Sequence, residues 1–131
     1  MAGTAAPVMA GLAAGVAFVV LFALHDFARE STVIIPEGSS VPENGRSFTP
    51  QTITVMIGVN NTVVWVNQDT VPGSVIANDQ GDPDFFNATN KPIFLLPGDE
   101  FRYTFTRSGE FDYHSEPHPW KHGTVIVLPE K

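Results

Sequence analysis

From residue 33 to the C-terminus the apolar residues recur with a period of two, in runs too short for helices, and this narrows the fold more than any other property. Thr52 to Ile57 places Ile53, Val55 and Ile57 on one face. Glu110 to His114 turns Phe111 and Tyr113 one way and Asp112 and His114 the other. Further strands are expected at Val33–Ile35, Thr62–Asn67, Ile93–Leu96, Glu100–Thr106 and Thr124–Leu128, cut by breakers such as Pro97-Gly98 and Ser108-Gly109. Asn60-Asn61 predicts a hairpin in which Thr52–Ile57 and Thr62–Asn67 pair antiparallel. Asn78 to Pro92 is polar and rich in breakers, and reads as a long loop closed by two buried aromatics, Phe85 and Phe86. Its acidic trio Asp79, Asp82 and Asp84 lacks the spacing of a calcium-binding EF-hand loop. Short strands at this density, with no amphipathic helix, predict an all-β Greek-key β-sandwich.

The N-terminus obeys a different pattern. Val8 to Leu24 carries no charged or polar side chain, and with Ala5 to Pro7 it approaches the roughly 20 residues of a spanning helix. The alternative, a cleaved signal peptide, lacks a basic segment before the run and a clear small-X-small site before His25. The expectation is an N-terminal transmembrane helix, with residues 1–30 as anchor and exit segment and 31–131 as the folded domain. The sequons Asn60-Asn-Thr62 and Asn87-Ala-Thr89 tilt the domain toward the extracytoplasmic side. A net charge of -7 argues against nucleic acid as a partner, because phosphate binding needs clustered Lys and Arg.

Chemistry concentrates in one place. His114, His118 and His122 fall within nine residues, between the strand ending at His114 and the strand from Thr124. Imidazole is the commonest metal-ligating side chain, so these three are the candidate metal ligands. The chain contains no cysteine, which removes disulfides, thiolate zinc sites and iron–sulfur clusters. Ser115 beside His114 is not a nucleophile elbow and no triad order is visible, so no enzyme is expected.

The segment Ser115-Glu-Pro-His118-Pro-Trp-Lys121-His-Gly123 resembles the C-terminal copper loop of the cupredoxins, the blue-copper electron carriers, which reads Cys-X-X-His-Pro-X-Met-X-Gly. Upstream, Val63-Val-Trp65-Val-Asn67-Gln-Asp69-Thr-Val-Pro-Gly73 resembles the same family's Asn-X-Asp-X-X-X-His ligand segment, and Leu96 to Phe105 resembles its strand before the loop. The resemblance covers about a hundred residues and implies the same sandwich fold. It also implies that three of four copper ligand positions have changed, to Gly73, Ser115 and Lys121, with His118 kept. Without a thiolate, blue-copper chemistry is absent.

The expectation is therefore a membrane-anchored cupredoxin-like domain without a retained cofactor, a structural or interaction module for a membrane-protein or redox-complex partner. Lys121, or water in the space at Gly73, is expected to fill the pocket and hydrogen-bond to Ser115 and His118, with Glu116 or Asp69 as counter-charge. The alternative is a copper-binding or electron-transfer protein with an atypical site of His114, His118 and His122. Their spacing resembles the dinuclear copper loop of cytochrome oxidase subunit II, although strand alternation turns His114 away from the Ser115 side.

Overall fold

The computed structural model describes residues 29–90 and 94–131, so the apolar run Val8–Leu24 lies outside the described residues. Among the described residues seven strands build two packed sheets. They are β1 (Glu30–Ile35), β2 (Thr52–Met56), β3 (Thr62–Asn67), β4 (Ile76–Ala77), β5 (Glu100–Thr104), β6 (Gly109–His114) and β7 (His122–Leu128). One sheet has the order β1-β3-β5, the other β2-β7-β6-β4. Among the described residues no helix is long and apolar enough to cross a membrane.

The predicted hairpin does not form. β2 pairs in parallel with β7, and β3 pairs in parallel with β1 and antiparallel with β5. The turn between them carries the chain from one sheet to the other. Asn60 Oδ1 accepts from Met56 N–H and Asn61 Oδ1 from Gly58 N–H, while Ile57 N–H continues the ladder to Leu128. The backbone donors of β2 are thus spent on β7 and the turn, and an Asn-Asn pair by itself does not choose the partner strand.

The second difference is a helix, α1 (Pro83–Thr89), inside the predicted loop. Asp82 caps it, its side chain accepting from the N–H groups of Asp84 and Phe85, and Pro83 takes the first helical position, where its missing N–H costs nothing. Phe85 is buried and Phe86 packs against the core at its edge. Of the trio Asp79, Asp82 and Asp84, two carboxylates are spent within the fold: Asp79 accepts from Gly81 N–H and Asp82 also accepts from the Tyr103 hydroxyl. Of the run expected at Ile93–Leu96, Leu95 forms one bridge, to Gly73.

Alternation fills the interior. β6 buries Phe111 and Tyr113, β7 buries Val125 and Val127, and β3 contributes Val63 and Trp65. Trp65 meets Phe85, Phe101 and Tyr113 at ring centroid distances of 5.9, 5.5 and 5.4 Å, so one indole joins the two sheets. Aromatic pairs of this geometry add about 0.5–1.5 kcal/mol each beyond the apolar area they bury. Gly123 is required by this core, because a Cβ there would overlap the Tyr113 hydroxyl.

Register also sets where the loops go. Ile35 pairs with Asn67 at the ends of two parallel strands, so the segments that follow, Pro36–Ser40 and Gln68–Ser74, leave the sheet side by side. Backbone hydrogen bonds from Ser115 to Lys121 and from Lys121 to His118 close the loop between β6 and β7.

Candidate metal centre

The upstream half is built on Asn67 and Asp69. Buried Asn67 donates from Nδ2 to the carbonyls of Val71 and Leu95 at 3.0 and 2.8 Å and accepts the Asp69 N–H on Oδ1 at 2.9 Å. It therefore pins the turn that delivers Gly73. Asp69 is 3 % exposed, yet its carboxylate is saturated: Oδ1 accepts from the N–H groups of Gly38 and Thr70, and Oδ2 from the Ser40 N–H and the Ser39 hydroxyl. Burial works to raise the Asp69 pKa, but the donors of Gly38, Thr70 and Ser40 outweigh it and hold the carboxyl below its ordinary range. Gly73 exchanges both backbone hydrogen bonds with Leu95 and has no donor atom to offer.

In the downstream loop Ser115 is fully buried. The Ser74 hydroxyl donates to the Glu116 carbonyl and accepts the Glu116 N–H, so the Ser115 hydroxyl, 3.3 Å away, is left to donate to Ser74 Oγ. Lys121 is 1 % exposed, and its Nζ donates to Ser39 Oγ at 3.3 Å. Its expected partners were Ser115 and His118. The structure gives Ser39 instead, because Ser115 is already engaged by Ser74 and the loop after β1 lies over the site. Of the two proposed counter-charges, Asp69 is the nearby one, reached through Ser39; Glu116 is mostly exposed and faces His114. Burial lowers the Lys121 pKa and the Asp69 charge opposes that shift.

His118 packs against Trp120 at 5.3 Å between ring centroids, and the indole N–H of Trp120 donates to the Ser39 carbonyl. Its Nδ1 is buried without a hydrogen-bond partner. Burial, and next the Lys121 charge, lower its pKa, with Asp69 pulling the other way. The ring borders an open apolar groove of about 610 Å³ formed with Val71, Pro72, Phe94, Leu96 and Pro117.

A type 1 copper centre takes two imidazoles, a thiolate and a weak axial ligand. The unpartnered His118 Nδ1 suits a metal. Around it, however, stand a glycine, a hydroxyl committed to Ser74 and a buried ammonium, and this donor set does not fit that centre.

His114 and His122 are elsewhere. They pair directly across β6 and β7 on the outer face of the sheet, opposite to that of Tyr113. His114 contacts Asn78 and Glu116, and His122 contacts Gln51. The structure thus pairs His114 and His122 along the backbone, with their rings against Asn78 and Gln51 on opposite sides, and leaves His118 on the groove. Among the described residues no three His, Cys, Asp or Glu side chains are gathered into a ready metal site. Ser39 and Ser74 are the site residues that sequence reasoning missed. Both depend on contacts with residues thirty or more positions away, and only the register of β1 on β3 and the closure of β6 on β7 bring them in.

The comparisons with known proteins agree with this architecture. The chain is 33% identical over 73 residues to amicyanin from Paracoccus denitrificans, covering 54% of this chain and 52% of that protein. It is 28% identical over 85 residues to plastocyanin from Scenedesmus fuscus, covering 61% of this chain and 85% of that protein. The match thus spans about half the length of the amicyanin. Among solved structures, a purple cupredoxin from Nitrosopumilus maritimus superposes with a TM-score of 0.60 at 28% identity, over 74% of this chain and 98% of that one. The oxidized form of a methionine-to-lysine variant of amicyanin gives a TM-score of 0.57 at 28% identity, over 73% of this chain and 79% of that one. The family model for copper binding proteins of the plastocyanin/azurin family matches residues 38–128, and the chain belongs to that family.

Proposed function

We propose that this cupredoxin domain works without type 1 copper, as a non-catalytic interaction module whose Lys121 ammonium takes the metal's place in tying the loops together. The observation that carries the reading is the buried Lys121 side chain, which stands at the loop position corresponding to the axial methionine and reaches Ser39 on the opposite loop. The groove beside His118, with Phe94 and Leu96 each 56% exposed, supplies an apolar surface for a protein partner. Amicyanin-like cupredoxins act with redox partners, and a redox or membrane complex is the partner class we assign. The run Val8–Leu24 serves as the membrane tether, with the domain on the extracytoplasmic side.

Metal content of protein purified without chelator, with absorption spectra after copper(II) addition, tests the reading. The expected result is no thiolate-type blue band and no copper whose binding depends on His118. Lys121→Met alone stays colourless. Gly73→His, Ser115→Cys and Lys121→Met together regain a coloured copper site, because a Cβ on Gly73 meets only ordinary contacts, at 3.6 Å from Ile35 and 3.8 Å from Asn67. Tight stoichiometric copper in the unmodified protein, lost in His118→Ala, would overturn the proposal. For the tether, the full chain should stay with membranes through an alkaline wash and a chain lacking residues 1–30 should not; release of both removes the anchor from the proposal.

A further inference from the structure

Outside the vacated centre, the exposed face of the β6–β7 ladder carries the only other concentration of imidazoles among the described residues. His114 and His122 are direct partners in that ladder. The backbone shows which kind of pair they form. Ser115 N–H bonds to the Lys121 carbonyl, so the next residues along, His114 and His122, occupy a non-hydrogen-bonded position. Two other contacts agree: the N–H and carbonyl of His122 are both taken by the Ser47 hydroxyl, on the side away from β6. Non-hydrogen-bonded partners have Cα atoms about 4.5 Å apart and the closest side chains in an antiparallel ladder. Two imidazoles on one face at that spacing can grip one ion.

The environment of His114 adds a second argument. Its Nδ1 lies 2.5 Å from Asn78 Oδ1, an atom that only accepts, so Nδ1 carries the proton. In the neutral ring Nε2 then presents a lone pair, and 3.3 Å from it stands Glu116 Oε1, another lone pair. Such an arrangement is relieved by a metal ion between the two atoms. An outer carbonyl on Nδ1 with the other nitrogen free is also the usual setting of a metal-ligating histidine.

We infer that His114 and His122, with Glu116 beside them, form a surface site for a divalent transition-metal ion, separate from the vacated blue-copper position. Copper(II) binds in preference to zinc(II) or nickel(II), since imidazole sites follow that order. The three side chains do not yet converge. Glu116, with a side chain 65% exposed, and the exposed His122 ring are free to turn toward the ion, and water completes its coordination. The Gln51 amide nitrogen, 3.1 Å from His122 Nδ1 and 3.3 Å from Nε2, donates to a ring lone pair and is the contact that the ion displaces.

Titration of the full chain with copper(II), followed by calorimetry and EPR, tests this. The expected result is one equivalent bound, with a nitrogen-type EPR signal and no thiolate band. His114→Ala and His122→Ala should each weaken it by more than the ~10–100-fold that loss of an outer partner costs. Glu116→Gln should weaken it less, and His118→Ala should leave it unchanged. Melting temperatures of the metal-free variants confirm that each is folded. The inference is overturned if no equivalent binds, if His122→Ala binds as tightly as the parent, or if His118→Ala alone abolishes binding. That last result also overturns the copper-free reading of the central site, whereas the first two leave it standing.

Discussion

Two charges are buried at the same end of the sandwich, and the protein treats them differently. Asp69 receives three backbone N–H groups and a hydroxyl, and its carboxyl is held ionised. Lys121, equally buried, has three donors to place and finds one acceptor, Ser39 Oγ at 3.3 Å. The carboxylate is an organising centre around which the loops after β1 and β3 close. The ammonium is held by a single long contact. Carboxylates accept what backbone turns readily give, while an ammonium needs acceptors that a loop of N–H groups does not offer.

If that contrast is right, the largest effect belongs to Asp69. Asp69→Ala strips the N–H groups of Gly38, Ser40 and Thr70 of their acceptor and leaves Lys121 without its counter-charge. A loss of about 3–5 kcal/mol is expected, the cost of breaking a buried charge pair from one side. Urea denaturation measures it. The acid limb gives a second reading: because the folded pKa lies below the ordinary 3.8, this stabilisation is present above 3.8 and is lost as pH falls through the folded value, and the variant lacks that loss. A change under about 1 kcal/mol would mean the loops close without the carboxylate and would break the comparison.

Ser39→Ala sharpens it. The hydroxyl links Lys121 Nζ to Asp69 Oδ2 through contacts of 3.3 and 3.4 Å. Both are long, so a loss of about 1.5 kcal/mol is expected, the low end for hydrogen bonds to charged groups. In a Lys121→Met background the same change should cost much less, because the ammonium that needed the hydroxyl is gone. Equal costs in the two backgrounds would show that Ser39 serves Asp69 alone.

How much of this was legible beforehand follows the same division. Period-two strands announced the sandwich and its inner face, and Phe111, Tyr113, Val125 and Val127 are buried as their alternation requires. The partner of β2 was not legible, because Asn60-Asn61 fits a turn within a sheet and a turn between sheets equally well. The helix after Asp82 was signalled by an Asp-Pro pair at the cap and first positions, and the breakers around it masked that signal. At the site, the departure from the family's copper-ligand pattern at Gly73, Ser115 and Lys121 was legible in the residues themselves. The contact between Lys121 and Ser39 was not, since it arises from a parallel register between strands about thirty residues apart. The apolar run Val8–Leu24 lies outside the described residues.

Lys121→Met should raise stability by about 1 kcal/mol at neutral pH, the low end for replacing a buried charge with an apolar side chain of similar volume. Asp69 retains its four donors, which is why one partner of this pair can go cheaply and the other cannot. The pH dependence carries the sign. The folded Lys121 pKa lies below the ordinary 10.5, so the unfolded chain binds more protons in between, and the parent gains stability as pH rises through that window. Lys121→Met lacks the gain, and its advantage shrinks toward pH 10.5. A variant less stable than the parent at neutral pH would make the ammonium a full partner of Asp69.

The smallest effect is at His118, and it tests whether the ammonium is felt beyond Ser39. Burial and then the Lys121 charge hold the His118 pKa below its ordinary 6.5. For a base lowered in the folded state, the stabilisation is complete above the unfolded value and is lost as pH falls from there toward the folded one, because the unfolded chain takes up the proton first. The parent should therefore soften slightly below pH 6.5 in a way that His118→Gln does not, by less than any substitution effect above. In Lys121→Met one of the two lowering causes is gone, so the His118 ring should titrate closer to its ordinary value, with Asp69 now pulling unopposed by the ammonium. NMR of the ring protons across the titration reads this directly. A His118 pKa that stays put when Lys121 becomes Met would place the ammonium out of electrostatic reach and reduce its role to the single bond with Ser39.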